Sequence, residues 1–245
     1  MTNAMHIHVA SNPGVHEDIT QRGYSRRPLA VDEDVAAALQ AMAAATSRLP
    51  RDTYYEAGER FRTFNRFMAE VLEDGVEVTP APDGPYVQLK KYNPVLGGQE
   101  RHYPPLDTAI VHSAGVAKII AHHVASLPLS HPGAVYDVNF HLKRFLALPG
   151  RPCTATPPGL HKDGEKYIAT TLVGRCGAVG GEVVITDNKK REVDRFLMRE
   201  MGECYVLDDD QVWHMLTPVG VVEGNTVGFR DIALLDILPR GWKPS

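Results

Sequence analysis
The 245-residue chain is poor in cysteine, in net charge and in long apolar runs, and each shortage excludes a class of protein. Cys153, Cys176 and Cys204 are its three cysteines. They are odd in number and widely spaced, so they form neither a CxxC zinc knuckle nor a disulfide framework. They read as small core hydrophobes, and the expected location is a reducing cytoplasm. A net charge of −4 gives no attraction for nucleic acid or an anionic membrane. No stretch approaches the ~20 apolar residues of a membrane span. The opening Met1-Thr2-Asn3-Ala4-Met5-His6-Ile7-His8 has no basic region followed by an apolar core, so no secretory leader is expected. Internal repeats and low-complexity segments are absent. No heptad seam or apolar stripe speaks for an oligomer, and the oligomeric state is not legible.

What is present is ordinary for a globular enzyme or binding protein: 43% hydrophobic and 23% charged residues. The length suits one domain, or a domain with a helical appendage. Residues 1–30 carry scattered Pro and Gly and read as a partly ordered arm. Asp32 to Leu49 reads as a helix, capped by Asp32 and propagated by alanines. Tyr55 to Leu72 reads as a second helix, because Phe61, Phe64, Phe67, Met68 and Val71 fall at helical spacing. Val87 to Tyr92 reads as a short strand, and Leu106 to Leu127 as helix with a break near Gly115.

The rhythm changes at Val135. Tyr136, Val138, Phe140 and Leu142 alternate with Asp137, Asn139, His141 and Lys143, the period of a half-buried strand. Further strands are expected over 166–173, 182–186, 203–207, 212–216 and 226–238. Helices first and strands after predict an α+β protein, with a mainly helical flanking region over 31–130 and a β core over 131–245. The whole is read as a single domain, 1–245.

The chemistry-bearing pattern is His161-Lys162-Asp163, then His214, then Arg230. Residues i and i+2 of a strand point to one side, so His161 and Asp163 converge while Lys162 turns away. Two imidazoles and a carboxylate on one face suit Fe(II) and leave positions open for co-substrate and O2. Residues 164–213 leave room for several strands before His214 joins them. Arg230 lies beyond a Gly224-Asn225 turn signal, in an apolar strand. A guanidinium there is costly unless it meets an anion, and the distal carboxylate of 2-oxoglutarate is a planar anion that two bonds can grip. Each residue also has a plain reading: a solvated loop for His161 and Asp163, a satisfied core histidine for His214, an ion pair with Asp231 or Asp236 for Arg230.

These residues resemble the small bacterial 2-oxoglutarate/Fe(II) dioxygenases that hydroxylate free aliphatic L-amino acids, the L-isoleucine dioxygenase group. The resemblance runs through Arg60-Phe61-Arg62, Gly97-Gly98 with Arg101, and Tyr103-Pro104-Pro105. It continues through Pro158 to Gly164, Gly180-Gly181-Glu182, Asp208 to Pro218, and Gly228-Phe229-Arg230-Asp231. It implies a double-stranded β-helix (jelly-roll, cupin-like) core with N-terminal flanking helices, and Fe(II), 2-oxoglutarate and O2 as cofactors. Ascorbate is the expected reductant in vitro. Carried over, His161, Asp163 and His214 match the catalytic iron ligands and Arg230 the 2-oxoglutarate arginine. Thr217 is a second candidate for 2-oxoglutarate.

An amino-acid substrate needs a cation for its carboxylate and an acceptor for its ammonium. Arg144, Arg175 and Arg191 are candidates for the first, Asp137 and Asp231 for the second, and His141 for the pocket wall. The same chemistry can yield hydroxylation, desaturation, ring closure or sulfoxidation of an amino-acid derivative. A non-catalytic cupin-like barrel and a metal-dependent isomerase or hydrolase are the remaining readings, and Arg230 is unexplained under the last.

Overall fold
Alternation within each strand decides which side chains reach the cleft and which meet the helices. The computed structural model describes residues 4–55, 59–155 and 157–243. Strand β1 (Met5–Ile7) leads into helix α1 (Pro13–Arg22). Asn12 caps α1 by accepting from the Gly14 and Val15 amides, and Gly23 closes it at φ 78°. Strand β2 (Tyr24–Ser25) follows. The segment expected to be a partly ordered arm thus carries three elements; residues 1–3 of it lie outside the described residues.

Helix α2 (Glu33–Thr46) forms as expected, with Asp32 accepting from Val35 N at 3.0 Å. The expected helix over 55–72 does not form. Residues 56–58 lie outside the described residues, and Glu59–Leu72 is a long strand, β3. It pairs with β4 (Gly75–Ala81). The mainly helical character expected for 31–130 therefore fails here. Both faces of β3 are covered, so apolar residues occur on both and mimic a helical period. Nor does Val87–Tyr92 form a strand; of its neighbourhood only the Tyr86–Arg101 bridge pairs. Helices α3 (Thr108–Val111) and α4 (Ala114–Ala125) are separated by His112 and Ser113, and Ser113 caps α4.

The strands then run β5 (Val135–Ala147), β6 (Tyr167–Cys176), β7 (Ala178–Gly180), β8 (Val183–Asp187) and β9 (Glu192–Phe196). They continue with β10 (Cys204–Asp208), β11 (Val212–Leu216), β12 (Val219–Val221) and β13 (Gly228–Pro239). The larger sheet has the order β1-β4-β3-β5-β13-β6-β10-β2, and a smaller one β11-β8-β9; β12 pairs with β7. The fold is α+β with a double-stranded β-helix core. The non-sequential strand order explains why residues distant in sequence meet.

Strand alternation splits the core in two. Tyr136, Val138, Phe140 and Leu142 of β5 pack with Leu39 and Met42 of α2 and Ile119 and Ile120 of α4. Phe145 and Ala147, of opposite parity, pack with Ile185 of β8 and Val212 of β11. The larger sheet thus turns one face to the helices and the other to the smaller sheet.

Gly115 sets how closely α2 and α4 approach. A Cβ there would lie 2.0 Å from the Asp34 carbonyl oxygen and 2.6 Å from the Ala38 Cβ. Gly115→Ala gains roughly 1 kcal/mol of helix propensity, but the clash is with backbone and the helices must part. A net loss of about 1–3 kcal/mol is expected, read as a lower denaturant midpoint. An unchanged midpoint would show that α4 shifts freely over α2.

Candidate active site
His161 and His214 are brought face to face by an antiparallel bridge. The His161 amide donates to the His214 carbonyl at 2.9 Å, and the His214 amide donates back at 3.1 Å. His214 lies on β11, whose other edge is held by β8. Asp163, two residues after His161, returns to the same side: its Oδ1 is 3.8 Å from His161 Nε2 and its Oδ2 is 3.4 Å from His214 Nε2. Three ligand atoms, all within 4.8 Å of one another, form a cluster that could hold one metal ion. Lys162 turns away, as its parity requires, and donates to the Asp210 carbonyl at 2.8 Å.

The surroundings orient these groups. His161 Nδ1 lies 2.8 Å from the Gly159 carbonyl, so that nitrogen donates and Nε2 is left for a metal ion. Asp209 Oδ1 lies 3.8 Å from His214 Nδ1, while its Oδ2 accepts from the Gly164 amide at 2.8 Å. Burial pushes the Asp209 carboxyl up to about 7. Burial would raise Asp163 too, but the hydrogen bond from His214 and the charge of His161 outweigh it, and its carboxyl is held below the usual range. Burial likewise opposes charge on His214, yet Asp163 raises it overall; His161 is lowered by burial. Gly164 has φ 82°, and a Cβ there would sit 2.1 Å from the Tyr92 ring, so the ligand loop needs glycine at this point.

The cluster lies in a cleft of about 870 Å³, measured out to its open mouth. Arg230 of β13 lines it. Its side chain is 2% exposed, and its Nε and Nη2 have no hydrogen-bond partner. Tyr205 of β10 hydrogen-bonds the same guanidinium. Buried donors without acceptors are costly, so this guanidinium fits a carboxylate that the cleft admits. The donor set at the cluster and the orphaned arginine therefore both suit Fe(II) and 2-oxoglutarate.

Of the other expected site residues Arg144 also lines the cleft, and the rest lie elsewhere. Thr217 Oγ1 accepts from the Glu182 amide at 2.8 Å, and Thr217 N donates to the Glu182 carbonyl at 2.9 Å; both join backbone segments. Arg144 grips Asp231 with two bonds, of 2.8 and 2.7 Å, and donates to Thr46 of α2 at 2.9 Å. That pair faces the helices. Arg175 donates to the Ala178 and Gly180 carbonyls at 2.9 and 2.7 Å. Arg191 pairs with Asp187, and Asp137 with Arg240, at the surface. His141 is fully buried behind the cleft wall, 2.6 Å from Arg62 Nη2 through Nδ1 and 3.1 Å from Asp236 Oδ2 through Nε2. Burial, with Arg62 beside it, holds His141 well below its usual range, so it is neutral and passes a hydrogen bond from Arg62 to Asp236.

The structural role of the Arg144–Asp231 pair has a measurable consequence. Asp231→Ala leaves a largely buried guanidinium with Thr46 and the Phe229 ring but no counter-charge, and a stability loss of about 3 kcal/mol is expected. KM for whatever the cleft binds should stay unchanged. A raised KM with an unaltered melting temperature would return Asp231 to the substrate site.

Sequence reasoning missed the charged residues that do line the cleft: Asp52, Arg60, Arg62, Lys143 and Asp236. Lys143 sat in the polar half of the β5 alternation and was available to that argument. Arg60 and Arg62 were hidden by the helical reading of β3. A second cluster, His6, His8 and Asp74, sits at the sheet edge with exposed side chains, and His8 and Asp74 line an open surface pocket there.

A family model described as 2OG-Fe dioxygenase matches residues 43–236. The chain belongs to this family. It is a 2-oxoglutarate-dependent iron dioxygenase, and the family implies Fe(II), 2-oxoglutarate and O2 as its cofactors. Among its relatives is the 3(1)-hydroxy-L-isoleucine 4-dioxygenase of Pantoea ananatis (strain AJ13355), 29% identical over 74% of this chain and 73% of that protein. Another is the L-isoleucine-4-hydroxylase of Bacillus thuringiensis, 28% identical over 76% of this chain and 77% of that protein. The crystal structure of IDO from Bacillus thuringiensis superposes with a TM-score of 0.76, at 20% identity, covering 91% of this chain and 97% of that one. A bsmA homolog from Methylobium petroleophilum PM1 gives 0.79 at 22% identity, with 98% of both chains covered. These two structures share the fold of this 2OG-Fe dioxygenase. No helix among its described residues is long and apolar enough to cross a membrane.

Proposed function
We propose that this dioxygenase hydroxylates an unactivated C–H of a small, free aliphatic L-amino acid, with succinate and CO2 as co-products. The observation that carries the reading is the orphaned Arg230 guanidinium in the same cleft as the His161, Asp163 and His214 cluster. The substrate class is drawn from the two relatives named for isoleucine and its hydroxylated derivative.

In this reading His161 Nε2, an Asp163 oxygen and His214 Nε2 hold Fe(II). Iron with 2-oxoglutarate and O2 supplies, when bound, an oxidant strong enough for an aliphatic C–H. The protein's part is orientation and exclusion of water. Gly159 fixes the His161 imidazole, Asp209 Oδ1 lies 3.8 Å from His214 Nδ1 without a hydrogen bond, and Gln88 Nε2 donates to Asp163 at 3.3 Å. Arg230 and Tyr205 receive the distal carboxylate of 2-oxoglutarate. Phe145, Ile232, Leu234 and Met215 give the cleft an apolar lining suited to an aliphatic side chain. The carbon nearest the iron is chosen by where that side chain is clamped, since a misplacement of about 1 Å can cost on the order of a hundredfold.

The test is anaerobic reconstitution with Fe(II), 2-oxoglutarate and ascorbate, then exposure to O2 with each proteinogenic L-amino acid in turn. Succinate stimulated by Ile, Leu, Val or Met, with a product carrying one more oxygen atom, is the expected result. A product lacking a pair of hydrogens would move the reading to desaturation or ring closure. Slow succinate formation that no amino acid stimulates would remove free amino acids as substrates.

A further inference from the structure
The inner face of the larger sheet carries more positive charge than 2-oxoglutarate needs. Arg62 of β3 and Lys143 of β5 are direct cross-strand partners, and Lys143 is paired on its other side with Ile232 of β13. Like charges placed opposite each other destabilise a sheet, so two cations side by side on a half-dry wall call for counter-charge.

Arg62 has its own. Its Nη1 lies 3.7 Å from Asp52 Oδ2 and 3.3 Å from the Tyr103 hydroxyl, its Nη2 bonds His141, and its guanidinium stacks 4.0 Å above the Tyr103 ring. Arg101, deeper in the wall, donates to Gln88 Oε1 at 2.9 Å. Lys143 is different. It lines the cleft, and among the described residues its ammonium has no hydrogen bond and no ion pair. Burial, with Arg62 beside it, pulls its ammonium down to about 7, and Asp236 and Asp163 oppose that through space only. A lysine held in a cleft without an acceptor is in the same position as Arg230: the missing acceptor comes with a ligand.

The register separates the two cations. Arg230 is paired with Phe145, and Lys143 lies two residues along β5 on the same face. Such diagonal neighbours have backbones about 7–8 Å apart. Between them stand Phe145 and Ile232, which are apolar. One wall therefore offers two anion sites with an apolar strip between them, and one of the two is already claimed by the co-substrate.

We propose that Lys143 receives the α-carboxylate of the amino-acid substrate, so that the cleft takes one carboxylic acid at Arg230 and a second at Lys143. The assignment rests on the reading of the substrate as a free amino acid. It makes Lys143 a specificity-determining residue: it selects for a free carboxyl group, and it holds one end of the substrate while the aliphatic end reaches the metal. Arg62 then acts as a positioning residue, locked by Asp52, Tyr103 and His141 so that its charge supports the same carboxylate without taking it over.

The test compares an aliphatic L-amino acid with its own carboxamide, on wild-type protein and on Lys143→Met and Lys143→Arg. Binding is read by calorimetry on protein loaded with 2-oxoglutarate and Mn(II), which takes the iron site without turnover; KM and kcat are read on the iron enzyme. Wild type should prefer the acid. Lys143→Met should weaken the acid by about 10- to 100-fold, the worth of a charge-assisted hydrogen bond. It should leave the carboxamide within about twofold by the same reasoning, erasing the preference, while KM for 2-oxoglutarate stays put. Lys143→Arg should restore part of the preference. Acid and amide weakened equally, or a preference that survives in Lys143→Met, would overturn the assignment. A raised KM for 2-oxoglutarate would move Lys143 to the co-substrate. Thermal melts of each variant separate loss of the subsite from loss of the fold. If wild type binds and oxidises no free amino acid at all, the substrate reading falls, and that result is distinct from a lost acid preference in the variant.

Discussion

Asp163→Ala should abolish succinate formation and metal binding together, while the fold persists. Asp163 is the one anion between two imidazoles, 3.4 Å from His214 Nε2 and 3.8 Å from His161 Nε2. Without it the site offers two neutral nitrogens, a poor match for a hard divalent ion that competes with water. Removing an outer partner of a metal ligand typically costs about 10- to 100-fold in affinity or activity. Loss of the ligand itself should exceed that, to roughly a thousandfold or more by extension of the same scale. Lys162→Ala is the matched control. Its side chain points the other way, to the Asp210 carbonyl and over the Trp213 ring, so turnover should match wild type. Metal content, a melting curve and succinate yield are the three measurements. Full turnover in Asp163→Ala with bound iron would falsify the ligand assignment.

The contrast between Lys162 and Asp163 also shows what the sequence can carry. Two-residue alternation places His161 and Asp163 together and Lys162 apart, although only an isolated bridge at His161 forms there and no strand. The partner across the bridge, His214, is legible only through its chemistry: the His, Asp and His set is what an open Fe(II) site requires. The strands after Val135 are legible for a related reason. β5, β6, β8, β10, β11 and β13 fall within a few residues of expectation, since turn residues punctuate them and β5 keeps one face apolar.

β3 shows the limit. Phe61 and Phe67 face the helices, and Phe64 faces inward against His141 at 4.8 Å. A strand buried on both faces has no alternation, and its aromatics fell by coincidence at helical spacing. That error also concealed Arg60 and Arg62 as neighbours of the site. The substrate wall is hard to read in the sequence for a different reason. Arg144 and Lys143 are adjacent, and a cationic side chain is needed in the cleft, but residue type does not say which face of β5 is inward. The answer depends on α2, whose Thr46 accepts from Arg144, and on the smaller sheet that closes the other side. Both are long-range packing facts. The three short strands β7, β9 and β12 were missed because three to five residues carry too little pattern to separate from loop.

Arg230→Met should have opposite effects on activity and on the stability of the free protein. In the free protein the Arg230 guanidinium is 2% exposed and leaves Nε and Nη2 without acceptors. Each such donor is costly, about 1–3 kcal/mol. Methionine fills a similar volume beside Phe145 with no polar atom. The melting temperature without 2-oxoglutarate should therefore hold or rise. With 2-oxoglutarate the order reverses. Wild type gains the linkage free energy of a ligand that binds only the folded state, about 2.7 kcal/mol at one hundred times Kd. The variant gains almost none. Losing one partner of a buried charge pair costs about 2–5 kcal/mol, so KM for 2-oxoglutarate should rise by roughly 30-fold to several thousandfold. Melting curves with and without 2-oxoglutarate, on the metal-loaded protein under nitrogen, decide the matter without any turnover. Were Arg230 a structural residue paired with Asp231 or Asp236, the variant would melt lower in both conditions, and 2-oxoglutarate would stabilise it as much as wild type. Crossing curves would be the signature of an arginine kept for its ligand, with two unsatisfied donors that the co-substrate's carboxylate satisfies.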